Sequence, residues 1–112
     1  MPERITIFLV NGECLFREAL RSLIASWPRY AVVGEAATVS EARTALDAVQ
    51  ADIVLFEINL PGKSGFSLLQ YLRNSKRTER AVVLTRALHP DYIREAMRLG
   101  AHGYLTHAAD SE

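Results

Sequence analysis

The sequence predicts an α/β fold: an open, doubly wound sheet of parallel strands with helices on both faces. Short apolar runs rich in β-branched residues recur along the chain. Helix-length amphipathic segments separate them, and the two kinds of segment alternate in order. Such alternation implies right-handed crossovers between parallel strands.

The first strand is Ile5–Val10 (ITIFLV), apolar enough to be covered on both faces. Leu15, Phe16, Ala19, Leu20, Leu23 and Ile24 then fall on one helical stripe, which Pro28 closes. The second strand is Ala31–Ala36 (AVVGEA). Its helix carries Ala42, Ala45, Leu46 and Val49, and Thr38 and Glu41 stand at the spacing of a capping box. The third strand, Ile53–Phe56 (IVLF), leads through the Pro61-Gly62 turn to a stripe of Phe66, Leu69 and Leu72. After the fourth strand, Ala81–Thr85 (AVVLT), come Tyr92, Ile93, Ala96, Met97 and Leu99, with Gly100 as the helix stop. A short fifth strand, Gly103–Leu105, follows. All four stripes are read as core packing.

A chain of 112 residues suits one domain, 1–112. Thirteen basic residues balance thirteen acidic ones, which argues against direct nucleic-acid binding by this stretch. The one cysteine, Cys14, excludes an internal disulfide and fits a reducing compartment. No apolar run approaches the roughly 20 residues that span a bilayer. The first residues also lack the basic leader of a secretory signal. A cytoplasmic location without membrane contact is expected.

In a doubly wound sheet, ligands bind beyond the carboxyl ends of the strands, where strand order reverses. That rule selects Asn11 and Gly12 after the first strand, Glu57 after the third, Thr85 on the fourth, and Thr106 and His107 after the fifth. Glu57 is the odd member, a carboxylate at the tip of a buried strand.

The stretches LVNGECLFREAL, DIVLFEINLPGKSG, VVLT and GAHGYLTH resemble, in order and spacing, the landmarks of a bacterial response-regulator receiver domain. FREAL and VVGEA are similar to the NarL/LuxR-type branch of transcription regulators. The resemblance covers Ile5 to the C-terminus and implies a CheY-like (flavodoxin-like) five-stranded sheet of order 2-1-3-4-5. It further implies an aspartate nucleophile, an acidic pair holding Mg²⁺, a switch Thr or Ser, a Lys, and a switch aromatic.

This chain departs from that pattern. Asn11 and Gly12 replace the acidic pair, Glu57 replaces the phospho-acceptor, and His107 stands at the lysine position. Thr85 and Tyr104 match the switch residues, and Asn59 matches the position whose backbone carbonyl ligates the metal. Mg²⁺ prefers several oxygen ligands in octahedral geometry and dehydrates reluctantly, so one carboxylate should hold it poorly or not at all. Neutral His107 is a poor substitute for a fixed lysine charge. Glu57 is one methylene longer than Asp, and misplacement on that scale is costly for phosphoryl transfer.

The expectation is an atypical receiver, not an enzyme, that regulates without phosphorylation or Mg²⁺ and dimerises. Glu57 would reach Thr85 or His107 and imitate a phosphorylated aspartate; the bland alternative is a local hydrogen bond in a decayed pocket. Its input would come through a partner protein or a small ligand in the altered pocket. Two rival readings are a conventional phospho-acceptor that uses Glu57, and a small-molecule sensor in which Asn11, Thr85 and His107 line a neutral polar pocket.

Smaller candidates read blandly. Cys14, at a helix start, is a packing residue, and His89, His102 and His107 lack metal-ligand spacing. RNSKRTER (Arg73–Arg80) is a solvated run, while Arg86 and Arg94 could pair across a dimer. The family fold closes with a fifth helix, for which Asp110 or Ser111 would be the N-cap. The chain is therefore expected to be a piece of a regulator with a helix-turn-helix DNA-binding domain.

Overall fold

Strand and helix alternate as the apolar pattern requires. The computed structural model describes residues 4–86 and 89–106. Its strands are β1 (Ile5–Val10), β2 (Tyr30–Ala36), β3 (Ile53–Phe56), β4 (Arg80–Thr85) and β5 (Gly103–Thr106). Its helices are α1 (Cys14–Ala25), α2 (Val39–Leu46), α3 (Gly65–Asn74) and α4 (Pro90–Arg98). All strand pairs are parallel and the order is β2-β1-β3-β4-β5. Strand order reverses between β1 and β3, so the tips of these two strands open the crevice where such sheets bind ligands.

Because strand side chains alternate in direction, each strand feeds both faces of the sheet. Phe8, Val10, Val54, Phe56, Ala81 and Val83 face the main core, where Ala42, Leu46, Leu68, Leu69, Leu72 and Ala96 of α2, α3 and α4 meet them. Ile7 and Leu9 face the other way, against Ile24 and Leu20 of α1. At the start of α2 the expected cap forms. Thr38 Oγ1 accepts from the Glu41 amide at 3.1 Å, and Glu41 Oε1 accepts from the Ala37 amide at 2.9 Å. Gly100, at φ +99°, ends α4 in the left-handed region that glycine tolerates.

Two sequence expectations need correction. The stripe of α1 is not wholly core: Leu15 is 79% exposed and Leu23 51%, and only Ile24 is buried. Among the described residues α1 is the only helix on its face of the sheet, so the flank of the stripe turned away from β1 and β2 meets no second layer. Leu105, on the same face of β5, is half exposed for the same reason. The run Arg73–Arg80 is not merely solvated either. Glu79 is buried, and Arg77 donates to it through both Nε and Nη2 while also reaching the Leu46 carbonyl. A buried carboxylate needs a partner, and the guanidinium two residues earlier supplies it.

Candidate functional site

The strand tips are in register before any side chain is considered. The Asn11 amide donates to the Ala36 carbonyl and the Glu57 amide to the Val10 carbonyl, each at 3.0 Å, so β2, β1 and β3 end together. Helix α3 then packs directly beneath the Glu57 end of β3. A Cβ at Gly65 would lie 2.5 Å from the Glu57 carbonyl oxygen and 2.8 Å from Ile58 Cα, so only glycine permits this approach.

From this tip the Glu57 side chain crosses to β4. Its Oε2 accepts a hydrogen bond from the Thr85 hydroxyl, and the same oxygen accepts from the Asn59 amide at 3.0 Å. Thr85 is fully buried and Glu57 half-buried, so this charge-assisted contact is largely screened from water. The extra methylene of Glu provides the reach. The carboxylate folds back over its own loop and ends on Thr85.

Across the crevice the β1 loop is tied to itself. Asn11 is buried, and its Oδ1 accepts from the Glu13 amide at 2.8 Å. Arg17 Nη1 donates to the Asn11 carbonyl, and Arg17 Nε donates to Glu35 on β2 at 2.8 Å. Arg21 holds the other oxygen of that carboxylate. Gly12 leaves no side chain at its position, and the ring of Pro61 sits against it: a Cβ there would lie 2.7 Å from Pro61 Cδ. A cleft of about 350 Å³ remains beside these residues, lined also by Glu13, Asn59 and Arg86.

Tyr104 packs half-buried against the main core. Burial raises its hydroxyl pKa above the ordinary value, and the Glu57 carboxylate and Tyr92 push it the same way. Tyr92, on α4, stands edge-on to Phe66 of α3 with ring centroids 5.7 Å apart.

Of the residues singled out from the sequence, Asn11, Gly12, Glu57 and Asn59 line one cleft, and Thr85 lies directly behind Glu57. Asn11 and Thr85, expected to line a ligand pocket, are both buried and hydrogen-bonded. His107, Asp110 and Ser111 lie outside the described residues. His102 Nδ1 accepts from the Ala81 amide and His89 Nδ1 from the Asp91 amide, both local structural bonds. Cys14 is exposed at the first residue of α1. Arg94 pairs with Asp91 of its own helix.

Sequence reasoning missed the Arg17–Glu35 bridge and the seat of Pro61 on Gly12. Arg17 and Glu35 belong to the two stretches that mark the branch, and their opposite charges were the available signal. Nothing local to Pro61 foretold its contact. Among the described residues no three His, Cys, Asp or Glu side chains are grouped to hold a metal ion. No described helix is long and apolar enough to cross a membrane.

The fold, with its parallel sheet of order β2-β1-β3-β4-β5 and a crevice at the β1 and β3 tips, defines a receiver-type domain. Residues 7–112 match the response regulator receiver domain family, and the chain belongs to that family. It is 31% identical over 103 residues to the nitrate/nitrite response regulator protein NarL of Escherichia coli, covering 92% of this chain and 48% of that protein. It is 30% identical over 101 residues to the DNA-binding transcriptional activator DevR/DosR of Mycobacterium tuberculosis, covering 90% of this chain and 46% of the relative. Among solved structures, a LuxR-family two-component response regulator from Aurantimonas superposes with a TM-score of 0.91 at 32% identity, over 96% of this chain and 77% of the other. The chain spans about half the length of the curated relatives it matches.

Proposed function

We propose that this receiver domain regulates a NarL/LuxR-type transcription factor without phosphoryl transfer and without Mg²⁺, Glu57 serving as a permanent anion on the switch threonine. One observation carries the reading: a single Glu57 oxygen accepts from both the Thr85 hydroxyl and the Asn59 amide. A phosphorylated aspartate would present an anionic oxygen to this threonine. Here a carboxylate already lies there, and the charge reaches Tyr104 as well.

The remaining groups favour a fixed anion over a nucleophile. Asn11 Oδ1 is taken by the Glu13 amide, and Gly12 has no side-chain oxygen, so neither residue of the replaced pair offers a charged ligand for a cation that would offset an incoming phosphoryl group. Two donors share one of the two Glu57 oxygens, Oε2, and lower its nucleophilicity. Output would pass to a covalently linked helix-turn-helix domain through a homodimer, as the relationship to DNA-binding regulators suggests.

Glu57→Gln in the full regulator tests this directly. The amide keeps the length of the side chain and removes its charge. Dimer fraction by sedimentation and promoter binding by fluorescence anisotropy should both fall. Unchanged dimerisation and DNA binding would reduce Glu57 to a local hydrogen-bonding residue.

A further inference from the structure

Helix α2 has a polar side that plays no part in the strand-tip site. Ser40, Arg43, Thr44 and Asp47 recur at helical spacing and share that side, while Val39, Ala42 and Leu46 bury the other. The polar side forms one wall of a cleft of about 670 Å³. Lys63 from the β3–α3 loop and Tyr71 from α3 line the cleft as well. Small-molecule sites commonly enclose about 300–1,000 Å³, so the space suits a compact ligand.

The two ends of the cleft differ in charge. A Cβ on Gly12 would lie 3.7 Å from the Ala37 carbonyl as well as against Pro61, so the loop that carries Lys63 runs beside the start of α2. At the other end the Tyr71 hydroxyl lies 3.5 Å from Asp47, just past the last residue of α2. Arg43 stands between them, its guanidinium carbon 4.6 Å from the centre of the Tyr71 ring. Stacking engages the face of a guanidinium and leaves its N–H groups, which lie in its plane, able to donate. Among the described residues no carboxylate is within ion-pair distance of Arg43 or Lys63. Two such cations, with the exposed hydroxyls of Ser40 and Thr44 nearby, suit an anion that has several acceptor oxygens. Asp47 can only accept, and so suits hydroxyl groups on the rest of the ligand.

We propose that the cleft between α2 and α3 binds a sugar phosphate, with its phosphate between Arg43 and Lys63 and its hydroxyls toward Asp47. This site lies apart from the Glu57–Thr85 contact and shares no residue with it. It therefore stands whatever Glu57 does.

The test is titration of the ¹⁵N-labelled protein with ribose 5-phosphate and glucose 6-phosphate, with inorganic phosphate and free ribose as comparators. At least one sugar phosphate should give saturable shifts at the Ser40, Arg43, Thr44 and Lys63 amides. Its apparent Kd should be below about 1 mM and at least about tenfold below that of inorganic phosphate or ribose. Arg43 and Lys63 are both exposed, so Arg43→Gln/Lys63→Gln should keep a dispersed spectrum while losing at least about tenfold in affinity. Asp47→Ala should weaken the sugar phosphate and leave inorganic phosphate unaffected. The proposal is overturned if neither sugar phosphate shifts the cleft saturably, or if Arg43→Gln/Lys63→Gln binds as tightly as the unsubstituted protein. It is equally overturned if inorganic phosphate matches the sugar phosphates or if Asp47→Ala leaves their affinity unchanged.

Discussion

Glu57 and Thr85 form a pair whose strength a double-mutant cycle can isolate. A charge-assisted hydrogen bond contributes about 1.5–3 kcal/mol net, and losing one partner of a buried bond costs about as much again as an imperfectly satisfied group. Glu57→Ala and Thr85→Val should each lower unfolding free energy by about 1–3 kcal/mol in urea melts. The double variant should fall short of their sum by at least about 0.5 kcal/mol; strict additivity would mean that the two residues do not interact. Tyr104 adds a pH signature. Its hydroxyl pKa is raised by burial and by the Glu57 charge, so the folded state holds this proton more tightly than the unfolded chain. Stability from this group is fully present below the ordinary tyrosine range and is lost as pH rises through the raised value. Tyr104→Phe should flatten that alkaline loss in thermal melts. At this scale the sequence was legible where chemistry decides. An acid at a strand tip, an amide and a glycine where acids belong, and a threonine one strand away are all visible as letters. The contact of Pro61 with Gly12 was not legible, since it depends on how two loops from different strands approach.

At the scale of elements, burial separated what periodicity had merged. The stripe of α1 is regular, yet Leu15 and Leu23 are exposed because a stripe records which side of a helix is apolar and not how much of it meets a partner. The run after α3 erred in the opposite direction. Its charges read as solvated, but Glu79 is buried and Arg77 ties the loop before β4 to the Leu46 carbonyl at the end of α2. Arg77→Ala would strand that carboxylate, at a cost of about 3 kcal/mol as for buried ion pairs that lose one partner, seen as a lower urea midpoint. Burial by itself raises the Glu79 pKa; hydrogen bonds and charge from Arg77, with backbone amides, outweigh it and leave the carboxyl below its ordinary value. Its stabilisation is present above the ordinary carboxylate range and is lost as pH falls through the lowered pKa. The Arg77→Ala chain should therefore show a shallower acid dependence of unfolding free energy.

At the scale of the whole molecule, the order of strands and helices was readable because each apolar run is short and each helix is bounded by a cap, a proline or a glycine. Strand order 2-1-3-4-5 came from family resemblance, and the parallel pairings reproduce it. That order brings the β1 and β3 loops together around one cleft. Helix α3 packs under the β3 tip at Gly65, Pro61 sits against Gly12 beside the cleft, and Glu57 reaches Thr85 behind it. On the function proposed above, Glu57 stands at the strand tip as a permanent anion and takes up no phosphoryl group. Intact mass after incubation with acetyl phosphate and Mg²⁺ tests it most directly. The account expects an unchanged mass for the native chain and for Glu57→Gln alike; a stable phosphoryl adduct on the native chain, absent from Glu57→Gln, would contradict it.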